Sequence, residues 1–278
     1  MIKIVEPGAL VAALPGALGF VPEDSLCAVA LKGGDMLCVL RIDRVHAAES
    51  FDQIAKMAAS NGADAMIAVW VVDENEFWCR MCVDERDELT ADFGLALLKS
   101  GVRLQSTLVT DNKSWQRCGG GERGVVPQSS ALTVAAVVAG RPQFASRAEM
   151  AAVFDPAGEV LTVEQVTDGD GEVEVLGRSL LDGAVRDGFY GAALTDEAAA
   201  VENRLLAAAR VLPGEFRAHA LATAAFLAYC RGDGAFAGEA LDQSLAAGET
   251  SMARMLDTAL QAGFEPGKIR ALAGAKRG

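Results

Sequence analysis

The stretch Leu14–Leu31, LPGALGFVPEDSLCAVAL, decides how the fold of this 278-residue chain begins. Apolar residues before it predict a short helix over 8–14, and we expect Pro15 to end that helix because proline interrupts helical hydrogen bonding. Gly19 and the residues after it predict a turn. The polar step Glu23-Asp24-Ser25 then leads into an apolar run typical of a buried strand. The predicted start of the fold is therefore helix, turn and buried strand.

Outward from this stretch, strand and helix patterns alternate. We predict strands at about 26–32 and 36–42 around the hairpin turn Gly33-Gly34-Asp35, a helix over Ala47–Ser60, a strand over Ala65–Val72, a helix at about 86–100 and a strand over Val102–Thr110. Segment 74–85 fits both helical and strand periods, and we favour a helix there. Because strands joined by crossover helices commonly pair in parallel, we predict an α/β fold with a mixed, mostly parallel sheet.

The C-terminal part of the chain has helical periodicity. Predicted helices cover about 196–211, 216–230, 234–247 and 250–262. The turn Gly232-Asp233-Gly234 between two of them resembles that of a tetratricopeptide-like helical hairpin, which cannot bury its apolar face alone. We therefore predict an α/β sheet domain over 1–150, a linker or mobile excursion over 151–177, and an all-α, tetratricopeptide-like domain over 178–278.

Ordered landmarks along the chain resemble one known family. They are the opening stretch, Arg41-Ile42-Asp43, Thr110-Asp111-Asn112-Lys113-Ser114-Trp115, Ala139-Gly140-Arg141, Ser146-Arg147-Ala148-Glu149, Val185-Arg186-Asp187 and Gly232-Asp233-Gly234. In this order they resemble the uncharacterised domain-of-unknown-function 4192 family of actinobacteria and their phages. The chain lacks the family's usual Cys-Cys-Pro cluster, because Cys118 is followed by Gly119-Gly120-Gly121. The resemblance implies no activity, and a metal or redox role of that cluster does not carry over.

Composition and charge narrow the classes of function. The chain has 25 basic and 38 acidic side chains, a formal net charge of −13, which disfavours binding to the phosphate backbone of nucleic acids. No run approaches the ~18 apolar residues of a membrane span, and no export signal stands out. We therefore expect a cytoplasmic protein with reduced cysteines that binds neither nucleic acid nor a membrane.

No motif points to a known catalytic chemistry. Cys79-Arg80-Met81-Cys82 has the CxxC spacing but neither the strand-turn-helix context of a thioredoxin motif nor the second pair of a zinc site, so we interpret it as two thiols on an apolar face. His46 and His219 are the only histidines, and neither stands near a triad pattern. We predict no metal site and no cofactor.

Polar residues at strand ends are the candidate ligand-binding site. If the strands ending at Asp43, Asp73 and Asp111 run parallel, their carboxylates meet at one edge of the sheet, where ligands of open α/β sheets bind. Hairpin geometry adds Asp24 and Ser25 to the same edge. The alternative is that these side chains cap helices and turns. The full candidate set is Asp24, Ser25, Arg41, Asp43, Asp73 and Asp111.

The helical hairpins and the lack of a catalytic constellation guide the functional prediction. We predict a protein-interaction or regulatory module that binds a protein partner, or a second copy of itself, through the C-terminal helices. The alternative is an enzyme or small-molecule-binding protein that uses the sheet-edge carboxylates, with a divalent metal as one option. Whether the protein is an enzyme stays open at this point.

Overall fold

A computed structural model describes residues 6–77 and 79–275 and divides the chain into two compact units at Arg147 and Ala148. The first unit combines a sheet with helices. Its strands are β1 (Ser25–Lys32), β2 (Asp35–Asp43), β3 (Ala65–Val71), β4 (Arg103–Thr110), β5 (Ser114–Arg117) and β6 (Arg123–Val125). Its helices are α1 (Pro7–Leu18), α2 (Ala47–Ser60), α3 (Glu74–Phe77), α4 (Arg80–Lys99) and α5 (Ala131–Val138), with a 3-10 turn at Arg44–His46.

The strands form a mixed sheet in the order β2-β1-β3-β4-β5-β6. Within the described residues only β3 and β4 pair in parallel, and the other neighbouring strands are antiparallel. The prediction of a mostly parallel sheet is therefore wrong. The reason is that β1 lies between β2 and β3 and is antiparallel to both. The crossover through α2 thus connects two strands that point the same way without touching.

β1 is buried on both faces and at both edges. Every residue from Ser25 to Leu31 is at most 2% exposed. One face places Leu26, Ala28 and Ala30 in a core shared with α2 and α4. The Ser25 face continues through cross-strand neighbours to Trp115 on β5. Gly8 of α1 contacts that tryptophan so closely that a Cβ would lie 2.7 Å from the indole Nε1, which places α1 over this second face.

α1 runs through Pro15 instead of ending there, so the predicted end of the first helix is wrong. The proline removes one helical N–H donor, but the next turn buries Gly16 and Leu18, and this packing keeps it helical. Gly19 ends the helix in the left-handed region at φ 80°, and its N–H donates to Pro15 O at 2.8 Å. This is the usual role of glycine after a helix.

α1 and α5 cross at Gly16 with no room for a side chain. A Cβ at Gly16 would lie 2.5 Å from the Thr133 nitrogen and 2.7 Å from Thr133 Cα. The chain after α5 returns to the turn that follows α1, where Phe144 N donates to Gly19 O at 2.8 Å and Val21 N donates to Phe144 O at 3.2 Å. The two distant segments therefore hold each other in place.

Gly16→Ala should lower the free energy of unfolding by about 1–3 kcal/mol, because the added methyl group meets backbone atoms that cannot rotate away. Urea unfolding followed by circular dichroism measures the change. Gly94→Ala is the matched control, since Gly94 lies inside α4 and a Cβ there would lie 3.5 Å from Leu104 Cδ2, an ordinary van der Waals contact. Alanine there should stabilise the helix by about 0.5–1 kcal/mol. Equal effects of both substitutions would contradict the close crossing.

The second unit is helical. The helices Ala198–Ala209, Gly214–Arg231, Gly234–Ala247 and Ser251–Gln261 agree with the four helices predicted from the sequence to within a few residues. Segment 151–177, which we interpreted as a linker or mobile excursion, includes the helix Val163–Asp168 and the first part of the helix Glu172–Ser179. None of the helices in the described part of the chain is both long and apolar enough to cross a membrane. The helices are α6 (Arg147–Ala152), α7 (Val163–Asp168), α8 (Glu172–Ser179), α9 (Gly183–Gly191), α10 (Ala198–Ala209), α11 (Gly214–Arg231), α12 (Gly234–Ala247), α13 (Ser251–Gln261) and α14 (Pro266–Ala275), with a 3-10 turn at Ala192–Leu194.

α11 is the central helix of the second unit. Its residues from Ala220 to Cys230 are at most 9% exposed, and α9, α10, α12 and α14 pack against it. α11 and α12 form the predicted hairpin at Gly232, which ends α11 in the left-handed region at φ 86°. A helix buried on all sides closes this unit into a bundle.

A buried ion-pair network joins α10, α11 and the turn before α12. Arg231 binds the Glu202 carboxylate with both terminal nitrogens, with Nη2 at 3.1 Å from Oε1, and its Nη2 lies 3.5 Å from Asp233 Oδ2. Glu202 and Asp233 are each 4% exposed. Burial raises the pKa of Glu202, and Arg231 opposes this effect. Two buried carboxylates therefore depend on one guanidinium.

Arg231→Met should lower the free energy of unfolding of the second unit by about 3–5 kcal/mol, because it leaves two buried carboxylates without their cation. Arg254→Met is the control, since it breaks a pair with Glu249 in which both side chains are more than half exposed. We expect that control to change stability by less than about 0.5 kcal/mol. Urea unfolding measures both, and a small effect of Arg231→Met would contradict the proposed network.

Candidate functional site at the sheet edge

The predicted polar residues lie along one edge of the sheet. Ser25 at the start of β1 pairs with Asp43 at the end of β2 and with Val71 at the end of β3, and Val71 pairs with Thr110 at the end of β4. Because β1 is antiparallel to both neighbours, β2, β3 and β4 all end where β1 begins. The remaining acidic residues of the set lie beside these strand ends: Asp24 and Asp111 directly adjoin β1 and β4, and Asp73 lies two residues after β3.

Two of these carboxylates hold backbone turns. Asp73 Oδ1 accepts hydrogen bonds from the N–H groups two and three residues further on, at 2.7 and 2.9 Å, where α3 begins. Asp111 Oδ1 accepts from the corresponding N–H groups at 2.9 and 2.6 Å. Both are turns in which an aspartate replaces a backbone acceptor. One oxygen of each carboxylate therefore has a local structural role.

Asp43 is neutralised by arginine. Arg41 Nη1 lies 2.6 Å from Asp43 Oδ1, and Arg147 Nη1 lies 3.6 Å from Asp43 Oδ2. Arg41 also donates to Glu23 O at 3.0 Å. Its side chain is 11% exposed, whereas that of Asp43 is 45% exposed. The guanidinium is thus the buried member of the pair, and the Asp43 carboxylate is already engaged by two cations.

Arg44 is the central cation of this edge. Its Nε lies 2.6 Å from Asp24 Oδ1 and its Nη2 lies 3.0 Å from Glu76 Oε1, so it ties the start of β1 to the helix after β3. Asp24 has a φ of 37°, a left-handed conformation uncommon for a residue with a side chain. Burial acts to lower the pKa of Arg44, but the hydrogen bonds and charges of both carboxylates outweigh it and raise that pKa.

Neither Arg44 nor Glu76 was among the candidate residues from the sequence. They stand 32 positions apart, and no short motif links them. The available signal was weak: Arg44 lies two residues after the predicted end of the second strand. The antiparallel pairing of β1 with both β2 and β3 brings the two side chains together.

Three buried polar atoms at this edge have no nitrogen or oxygen partner among the described residues. They are Ser25 Oγ, Arg41 Nε and Glu76 Oε2. The neighbour of the Ser25 hydroxyl is the Cys27 thiol. Burial raises the pKa of Cys27 to about 12, against smaller opposing effects of Ser25 and Arg41, so that this thiol is a neutral packing group. The edge therefore combines satisfied ion pairs with polar atoms that have spare hydrogen-bonding capacity.

Features away from the sheet edge also bear on small-molecule binding. Among residues 6–77 and 79–275, no three His, Cys, Asp or Glu side chains are close enough to hold a metal ion. A cleft of about 240 Å³ lies between α2 and α4, lined in part by Asp52, Asp92, Leu95 and Lys99. This cleft lies on the side of the sheet that α2 and α4 cover, and none of the predicted edge residues lines it.

The fold and the edge first define a class of protein: a mixed α/β unit with an ion-paired sheet edge, followed in sequence by a helical unit. The chain matches the family described as "Domain of unknown function (DUF4192)" over residues 7–169 and 159–267. It belongs to that family, as the ordered sequence landmarks indicated. No curated protein and no solved structure matches the chain.

Double-mutant cycles should show that Arg44 is coupled more strongly to Glu76 than to Asp24. We expect about 0.5–1 kcal/mol for Arg44→Met with Glu76→Gln, because the glutamate side chain is 27% exposed. With Asp24→Asn, whose carboxylate is 67% exposed, we expect less than about 0.3 kcal/mol. Urea unfolding at low and high salt measures both couplings. A stronger coupling to Asp24 would contradict the assigned link between β1 and α3.

Proposed function

We propose that the chain is a protein-interaction module that binds an acidic, amphipathic segment of a partner protein on the outer face of α5. The observation that carries the proposal is the exposure of this apolar helix, ALTVAAVV, in which Ala136 alone is buried. Val134, Val137 and Val138 are 55%, 58% and 82% exposed. Their spacing places them on one side of the helix, and we call these three valines the α5 outer face.

Charge supports an acidic partner. Residues 123–147 include three arginines and no acidic residue, although the whole chain has a net charge of −13. Arg141 adjoins α5, since its N–H donates to Ala136 O at 2.9 Å and its Nη2 donates to Gly16 O at 3.3 Å. A partner segment with an apolar stripe flanked by carboxylates would complement both the α5 outer face and the arginines around it. A second copy of this chain suits the face less well, because two basic surroundings would face each other.

The C-terminal helices are a second surface for the same function, through self-association or a protein partner. Met255, Phe264 and Leu272 are each about half exposed, at 51%, 49% and 52%. The α11–α12 hairpin followed by α13 supports a tetratricopeptide-like arrangement, in which stacked hairpins present a binding face, while the buried α11 favours a closed bundle. The proposal includes a cytoplasmic location, as expected from the sequence. It also includes an origin in actinobacteria or their phages, which the family resemblance implies.

An enzymatic or small-molecule-binding role at the sheet edge is the second candidate function. Ser25 Oγ, Arg41 Nε and Glu76 Oε2 favour it, because these buried atoms have hydrogen-bonding capacity to spare. Against it, Asp43 is engaged by two arginines, and the aspartates after β3 and β4 hold turns. We therefore rank the α5 outer face first.

Two synthetic helical peptides test the proposal. Both carry leucines at positions i, i+3, i+4 and i+7, one with glutamates and the other with lysines at the flanking positions. We expect the full-length chain to bind the acidic peptide at least about tenfold more tightly at low salt, with the difference shrinking as salt screens the charges. Fluorescence anisotropy of labelled peptides measures both affinities.

Matched variants locate the binding surface. Val138→Asp should weaken binding of the acidic peptide by about tenfold or more, whereas Val45→Asp, at a side chain 79% exposed in the same unit, should leave it unchanged. Both are surface changes that should alter stability by less than about 0.5 kcal/mol. Equal affinity for the two peptides, or equal effects of the two variants, would overturn the proposal. A wild-type dimer that Val138→Asp converts to a monomer in light scattering would instead identify a second copy as the occupant.

A further inference from the structure

We infer that Cys79 and Cys82 form a redox-active dithiol that exchanges with small disulfides, closing to an intramolecular disulfide and reopening. The inference is independent of the α5 outer face and of the sheet-edge alternative. It rests on the position of the two cysteines at the start of α4, on the contact between their thiols, and on the charges around them.

The CxxC segment lies at the start of a long helix. The helix predicted over 74–85 is divided, because α3 ends at Phe77 and the 20-residue α4 begins at Arg80 with Cys79 as its N-cap; Trp78 lies outside the described residues. Cys79 has extended backbone angles, φ −74° and ψ 119°, and Cys82 is the third helical residue. An N-cap side chain folds back toward that third residue, as in a capping box.

From the sequence we interpreted the pair as two thiols on an apolar face, whereas their position at the start of α4 supports a different role. Both cysteines are partly exposed, so that a small molecule in solution has access to them. Cys27 and Cys230, in contrast, are buried. The sequence lacked a recognisable strand-turn-helix context because the short helix α3 stands between β3 and the CxxC segment.

The two thiols contact each other. A hydrogen bond with the Cys79 thiol is the largest cause that raises the pKa of Cys82. Such a bond keeps the proton on Cys82 and leaves the Cys79 sulfur as the acceptor. A disulfide between Cys79 and Cys82 requires this proximity of their side chains.

The charges around the pair act in opposite directions. The N-terminus of a helix carries a partial positive charge, and the first turn of α4 contains no acidic residue. Arg86, which is 3% exposed, donates to Glu76 O at 3.3 Å, and its charge acts to lower the pKa of Cys82, whereas the charge of Glu76 acts to raise it. The net effect is that the pKa of Cys82 is raised, so that Cys82 keeps its proton until the second step of the exchange, while the start of α4 favours negative charge on Cys79.

The reaction is thiol–disulfide exchange with a low-molecular-weight disulfide. The deprotonated Cys79 sulfur attacks one sulfur of the disulfide, breaks its S–S bond and expels one thiolate, leaving a mixed disulfide on Cys79. Cys82 then loses its proton and attacks the Cys79 sulfur, and the second thiolate leaves. Two protein thiols are oxidised to one disulfide, one small disulfide is reduced to two thiols, and each departing thiolate takes up a proton released by a cysteine.

A redox titration of the full-length chain tests the inference. The protein is equilibrated with defined ratios of glutathione to glutathione disulfide, quenched in acid, alkylated with iodoacetamide and mapped by peptide mass spectrometry. We expect the peptide with Cys79 and Cys82 to lose both alkylation sites together with two hydrogens, and to regain them with dithiothreitol. Alkylation of both cysteines at every ratio, or glutathione adducts without the intramolecular bond, would overturn the inference.

Single substitutions test the order of attack. Cys82→Ser should trap Cys79 as a mixed disulfide with glutathione, whereas Cys79→Ser should slow adduct formation at Cys82 by at least about tenfold. Serine is a favourable N-cap, so Cys79→Ser should keep α4 folded. Cys118→Ser is the control and should leave the titration unchanged. Equal trapping rates in the two single variants would overturn the assignment of Cys79 as the attacking sulfur.

Discussion

The complete burial of β1 is the constraint on which the first unit depends. A strand that is hidden on both faces needs a neighbour at each edge and a cover over each face. β2 and β3 supply the edges, α2 and α4 cover one face, and α1 covers the other. Because β1 opposes both neighbours, its first residue lies among the last residues of the surrounding strands. The same arrangement that closes the core therefore gathers the polar strand ends at one edge.

The charged residues with the most ion-pair partners serve mainly to hold the structure together. Asp43 and Arg44 at the sheet edge, and Arg231 in the second unit, are each bound to more than one partner of opposite charge. The features that we connect with function are less conspicuous. One is a small helix of ordinary apolar residues, and the other is a pair of cysteines whose significance depends on the residue at which α4 begins.

Local patterns in the sequence were reliable guides to helices and strand ends, whereas long-range pairing was not. The four helices α10 to α13 were found because their apolar periodicity and glycine turns are local signals. The sheet was wrongly predicted to be mostly parallel because both β1 and β2 are apolar, and either could pair with β3. The partial exposure of β2 along its whole length, against the burial of β1, distinguishes the edge strand from the central one. Pro15 shows the reverse case, since packing of α1 outweighs the local tendency of proline to end a helix.

The crossing of α1 and α5 also has a consequence for how the chain is made. Thr133 Oγ1 donates to Ala12 O across 121 residues of sequence, and Phe144 joins the turn after α1. On a ribosome, α1 therefore emerges long before the segment that secures it, and its buried leucines remain exposed on the nascent chain during that interval. The second unit, whose largest helical contacts join neighbours in sequence, has no comparable delay. Within its unit, α1 is therefore synthesised before β1 to β6 but is among the last elements to be fixed in place.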